Sequence, residues 1–152
     1  MELSSPAFAD GETIDKRFTC QGANHNPPLK ITGVPPKSQS LALIMDDPDA
    51  ATDPNGPGHT YDHWIVWNIP PKSDMIGEDS LPPFAVEGLN GSGNSGYTGP
   101  CPPTGVHRYF FKLYALDTKL DLPEDAGAGE LEDAIGGHVL ARTELVGTYQ
   151  KS

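Results

Sequence analysis

The chain is short of cysteine and of positive charge. Two cysteines, Cys20 and Cys101, occur in 152 residues; they are too few for a disulfide scaffold and lack the paired spacing of a structural zinc site. Ten Lys and Arg stand against 21 Asp and Glu, a formal net charge of −11 with no basic block. Such a surface repels phosphate backbones at long range, which excludes non-specific nucleic-acid binding but not one anion in a locally favourable pocket. No apolar run approaches the ~20 residues of a membrane helix, so no membrane insertion is expected. The opening Met-Glu-Leu-Ser-Ser-Pro-Ala-Phe has neither the basic nor the apolar segment of a secretory leader. The expectation is therefore a cytoplasmic chain with reduced thiols, the two cysteines bridging only if the fold makes them neighbours. Repeats, low-complexity segments and domain boundaries are also lacking, so residues 1–152 read as one domain.

What the chain has in quantity is turn residues. Its 17 glycines and 16 prolines are spread between short apolar runs, the pattern of a mainly β fold. Short strands are expected over 2–8, 13–19 and 29–34. Ser40-Leu-Ala-Leu-Ile-Met45 reads as an interior strand, His63-Trp-Ile-Val-Trp-Asn-Ile69 as another, and Val106–Leu116, rich in aromatics and with no Gly or Pro inside, as the organising one. Residues 72–95 read mostly as loop with one short strand near 84–87. A weak helical spacing covers 130–140, and a last strand runs from Arg142 to Tyr149.

Side chains alternate along a strand. Three rows then carry a polar group at one end of an otherwise apolar face: Leu41, Leu43, Met45 and Asp47; His63, Ile65, Trp67 and Ile69; His107, Tyr109, Phe111, Leu113 and Ala115. Asp47 ends its strand, whereas His63 and His107 begin theirs. Antiparallel neighbours place opposite chain ends on one sheet edge. The carboxylate, the two imidazoles and the Tyr109 phenol can thus converge under the Pro/Gly loops 48–60 and 96–105. Taken singly, each residue has a blander reading as a half-buried strand end with a backbone partner. Trp64 and Trp67 read as core.

Four separated motifs then resemble a known family: Asp46-Asp-Pro-Asp-Ala50, His63-Trp-Ile-Val-Trp-Asn-Ile-Pro70, Gly96-Tyr-Thr-Gly-Pro-Cys-Pro-Pro103, and His107-Arg-Tyr109 followed by Leu113-Tyr-Ala-Leu116. Over nearly its whole length the chain resembles the phosphatidylethanolamine-binding proteins, in their bacterial and archaeal Raf-kinase-inhibitor-like branch. The resemblance implies a two-sheet antiparallel β-sandwich of Greek-key type with one or two short peripheral helices. It also implies non-catalytic binding of a small anion or phosphorylated ligand, in a regulatory role and without a cofactor. Asp47, Tyr61, His63, Gly99, Cys101, Pro103, His107 and Tyr109 would line the pocket, with His63, His107 and Tyr109 as donors, Asp47 orienting a histidine, and Asp49 bracing its turn. A kinase or a serine protease as partner, and a homodimer, are compatible with it.

The residue chemistry suits that reading. Imidazole and phenol donors in a partly dry cavity bond an ionised acceptor more strongly than a neutral one. If the histidines charge as pH falls from about 8 to 6, phosphate affinity should rise. Three rivals stand against it. His59, His63, His107 and Asp47 could hold a metal, but residues 59 and 63 would be roughly 13 Å apart in extended chain. Cys101 with His107, or Ser92 or Ser95, could be a nucleophile, yet no Gly-x-Ser-x-Gly elbow is present. Lastly, loop 48–60 or 72–95 could enter a serine-protease cleft, which makes surface inhibition the main alternative.

Overall fold

A computed structural model describes all residues, 1–152. In chain order the elements are β1 (Glu2–Ser4), β2 (Leu29–Thr32), β3 (Ser40–Asp47), β4 (Tyr61–Ile69), β5 (Met75–Ile76), β6 (Val86–Glu87), β7 (His107–Leu116), α1 (Ala128–Ile135) and β8 (Val139–Tyr149). They form a three-stranded sheet, β1-β2-β5, and a five-stranded sheet, β6-β4-β3-β7-β8. Every pairing is antiparallel. The chain is mainly β, as its turn-rich composition indicates.

The larger core lies between the two sheets. Leu3, Leu29, Ile31 and Ile76 from the small sheet meet Leu41, Leu43, Met45, Trp64, Val66, Tyr109, Phe111 and Leu113 from the large one. On the opposite face of the large sheet, Ala42, Ile44, Ile65 and Trp67 pack under Leu131 and Ile135 of α1. This double coverage explains why β3 is apolar without alternation: it is buried at all eight positions.

Several expected boundaries move. Residues 5–8 are not strand, and 13–19 contribute only an isolated bridge from Thr13 to Thr148 and a 3-10 turn, Lys16–Phe18. The helix starts earlier and stops at Ile135, because Gly136 and Gly137 follow and Gly137 takes φ +80°. The last strand therefore begins at Val139 rather than at Arg142.

Strand β4 departs most from strict alternation. Asp47 pairs with Tyr61, Asp46 with Asp62, and Met45 with Trp64. His63 is thus the extra residue of a β-bulge, two residues facing one. Farther along, Leu43 pairs with Val66 and Leu41 with Ile69, so a second irregularity falls at residues 67–68; there Asn68 adopts φ +54°. Each added residue reverses the phase of the strand. Consequently Ile65 and Trp67 face α1, not the inner core where His63 and Ile69 lie. The row drawn from period two is wrong in its middle and right at its ends.

Candidate functional site

The site begins where β3 runs out. Asp47 ends the strand and starts a 3-10 turn, Pro48–Ala51, with its Oδ1 accepting from the N–H groups of Asp49 (2.9 Å) and Ala50 (3.2 Å). Asp49 braces the same turn by holding Arg108: its carboxylate accepts from the Arg108 N–H, Nε–H and Nη2–H at 2.8, 3.0 and 2.9 Å. These bonds hold Asp49 below the usual carboxylate range.

Strand β7 lies beside β3 and carries His107 and Tyr109 at the same end. His107 Nδ1–H donates to Asp47 Oδ2 at 2.6 Å, and Nε2–H donates to Asp53 Oδ2 at 2.8 Å. A carboxylate at each nitrogen favours a proton on each, the imidazolium form of the ring. Burial alone would lower its pKa; the hydrogen bonds and charges of Asp47 and Asp53 outweigh that and raise it. Burial pushes the Asp47 carboxyl up, against the pull of His107 and the turn N–H groups. The Asn55 N–H, helped by His107 and Thr104, holds Asp53 low.

His63 behaves differently. Its Nδ1–H donates to the Thr98 carbonyl at 2.7 Å. Burial pushes its pKa down to about 4, with the His107 charge adding to the effect and the Thr98 bond opposing it. The ring is neutral near pH 7, so Nε2 carries a lone pair and is an acceptor rather than the donor expected. Tyr61 and Tyr109 meet this ring edge-on, centroids 4.7 and 5.2 Å away. Burial first, and the neighbouring Asp47 charge second, raise the Tyr109 phenol. Its hydroxyl is buried, lies near the Asp47 carboxylate, and makes no hydrogen bond of normal geometry in the protein.

The roof is loop 96–105. It is fixed by Tyr97 Oη–H to the Phe18 carbonyl (2.6 Å), the Thr98 N–H to the His63 carbonyl (3.0 Å) and the Gly99 N–H to Asn24 Oδ1 (2.8 Å). A Cβ at Gly99 would lie 2.3 Å from the Phe18 carbonyl oxygen, so only glycine fits. Cys101 is bridged to Cys20, Cα atoms 5.5 Å apart. That overturns the expectation of reduced thiols: the fold places two loops side by side that the sequence separates by 81 positions.

Together these elements enclose a cavity of about 300 Å³. All eight residues singled out from the sequence, Asp47, Tyr61, His63, Gly99, Cys101, Pro103, His107 and Tyr109, line it, joined by Ala50, Pro57, Thr98 and Pro102. His59 is not among them; its ring bonds the Thr60 carbonyl, so the His59–His63 pair is not assembled. Ser92 and Ser95 are tied to Asn90 and Glu87, and Cys101 has no free thiol. Sequence reading missed Asp53, which lies in an irregular loop where no period assigns a face.

The family model for phosphatidylethanolamine-binding protein matches residues 4–150. The chain belongs to that family. A UPF0098 protein of Methanothermobacter thermautotrophicus is 48% identical over 99% of both chains, and one of Chlamydia pneumoniae is 47% identical over 100% of both. Among solved structures, a phosphatidylethanolamine-binding protein homologue of Chlamydia trachomatis superposes with a TM-score of 0.93 at 42% identity, covering 99% of this chain and 97% of that one. Escherichia coli YBCL, described as a member of the mammalian family, gives 0.89 at 29% identity, covering 99% and 98%. These likenesses run through bacteria and archaea, the branch the four motifs resemble. No helix of this family member is long and apolar enough to cross a membrane.

Proposed function

We propose that the cavity binds a small anion or a phosphorylated molecule without transforming it, and that occupancy serves a regulatory, kinase-inhibitor-like role. The observation that carries this is the Tyr109 hydroxyl, a buried donor that stands near the Asp47 carboxylate but makes no hydrogen bond of normal geometry to the protein, beside an open cavity. Leaving such a group unpaired costs about 1–3 kcal/mol, and an oxyanion would supply the missing acceptor. The Cys101 N–H, on a residue of the cavity lining, is a further donor, since it bonds to no protein group. His63 Nε2 contributes an acceptor for a proton on the ligand. Asp47 is held by His107 and by its own turn, which suits it to orient rather than to bind. The family's name points to a phosphorylated headgroup as one form of this ligand. Nothing in the reading requires a nucleophile, and no cofactor enters it.

Titration calorimetry with inorganic phosphate tests it. Saturable binding should weaken about tenfold in Tyr109→Phe, which removes only the hydroxyl, one tenfold step being 1.4 kcal/mol. Absence of saturation at about 10 mM phosphate, a Kd beyond which binding is worth less than ~3 kcal/mol, would sink the reading. Protease inhibition that survives His63→Ala with His107→Ala would favour surface action instead.

A further inference from the structure

We propose that Asp53 is a specificity-determining residue: its carboxylate is the chain's own occupant of an anion subsite formed by the His107 Nε2–H and the Thr104 N–H. Every bond to that carboxylate is of the kind a bound anion would receive. Oδ2 takes the imidazolium proton at 2.8 Å and the Thr104 N–H at 3.1 Å, and Oδ1 takes the Asn55 N–H at 2.9 Å. The side chain is only 3% exposed, although it comes from a loop whose backbone is largely at the surface. A second cavity of about 250 Å³, lined by Asp49, Thr52, Asp53, Thr104 and His107 among others, lies against it.

His107 lines both cavities, and its other nitrogen is committed to Asp47. An anion that is to gain a hydrogen bond from this ring must therefore take the place of Asp53. Charge enforces the same exchange. His107 with Asp47 and Asp53 already sums to −1, so an anion added beside both carboxylates would meet net repulsion. Beyond Ala51 the loop has no helix or strand, and turns closing on the Asp49 and Asp53 carbonyls hold its backbone. Only the Asp53 side-chain bonds and Asn55 Nδ2–H to Thr104 Oγ1 at 2.7 Å fasten it to the roof, so the carboxylate can leave without those turns opening. A tethered carboxylate competes at an effective concentration in the millimolar range or above. Weak monoanions such as acetate are thereby excluded, and only an anion that also engages Tyr109 and the roof displaces it.

This inference rests on the anion-binding reading in naming phosphate as the displacing ligand; the subsite itself is probed independently. Asp53→Ala and Asp53→Asn are compared with the parent in three measurements: phosphate calorimetry, melting temperature with added acetate, and the ring ¹H–¹⁵N signal of His107. In Asp53→Ala the Nε2–H signal should be lost and then restored by acetate, with a rise in melting temperature that the parent does not show. Phosphate affinity should increase at least tenfold. Asp53→Asn, which keeps the shape and an acceptor oxygen but removes the charge, should bind phosphate more tightly than the parent and decides the matter if the alanine variant does not fold. A folded variant whose His107 signal and melting temperature ignore both anions overturns the proposal. Acetate rescue without phosphate binding in any of the three proteins would uphold the subsite and defeat the anion reading of the main cavity.

Discussion

Cys20 and Cys101 lie 81 residues apart in the chain and are joined by a disulfide that ties loop 20–27 to the roof of the candidate site. The Cys20 N–H also donates to the Pro100 carbonyl at 3.1 Å, so covalent and hydrogen bonds act on the same short stretch. Both cysteines are exposed. Reductant should therefore reach the bridge in the folded protein. A disulfide typically stabilises by about 2–4 kcal/mol, and a long loop such as this one belongs at the upper end of that range. Urea unfolding with and without reductant should differ by that order, with the sheets retained and phosphate affinity lowered as the roof loosens. An unchanged midpoint would mean that the remaining roof bonds suffice.

His63 makes the protein sensitive to acid. Its folded pKa of about 4 lies below the ordinary 6.5. As pH falls from 6.5 towards 4 the unfolded chain takes up this proton and the folded one does not, so stability falls across that window. The full difference is about 3 kcal/mol. Comparing urea midpoints of the parent and His63→Gln at pH 7 and 4.5 should show the steeper decline in the parent. Parallel lines would mean that His63 titrates normally.

His107 should do the opposite. Its pKa is raised, so the stability it confers is complete below pH 6.5 and is lost as pH rises through the elevated folded value. In a histidine-resolved NMR titration, His107 should change above 6.5 while His63 stays flat until near 4. His107→Gln leaves two carboxylates beside each other without their cation, at a cost of about 3–5 kcal/mol near neutrality. If the two rings titrate together, the imidazolium between Asp47 and Asp53 is absent.

Phosphate affinity should rise from pH 8 to 6, for a reason that differs from simple histidine charging. Neutral His63 presents an acceptor, and the monoanion of phosphate has a proton to give it; the dianion has fewer such protons and more charge to place near Asp47. Sulfate has no proton to give in this range, so it should bind more weakly than phosphate. Calorimetry over that interval with both ions provides the check. A flat profile, or sulfate binding as tightly as phosphate, would contradict this role for His63.

Period two alone was enough to bring Asp47, His107 and Tyr109 to one hollow, because β3 and β7 pair without a break over Ser40–Asp46. For His63 the same rule reached the right place by the wrong route. Its strand reverses phase at the bulge, and nothing in His-Trp-Ile-Val-Trp announces an extra residue. The glycine pair at 136–137 contains the helix stop, but the apolar spacing through Val139 masked it. Asp53 and the Cys20–Cys101 bridge depend on how separate loops meet, a property of the folded chain that no local pattern encodes. The two-residue strand β5 is too short for any period to register.

Strand β7 is hydrogen-bonded along both edges, to β3 and to β8, whereas most of loops 48–60 and 96–105 lies outside any ladder. His107 and Tyr109 are therefore rooted in the stiffest part of the molecule while most of their surroundings hang from replaceable segments. Swapping those two segments for others of equal span offers a way to redraw which guest is admitted while leaving the foundation intact.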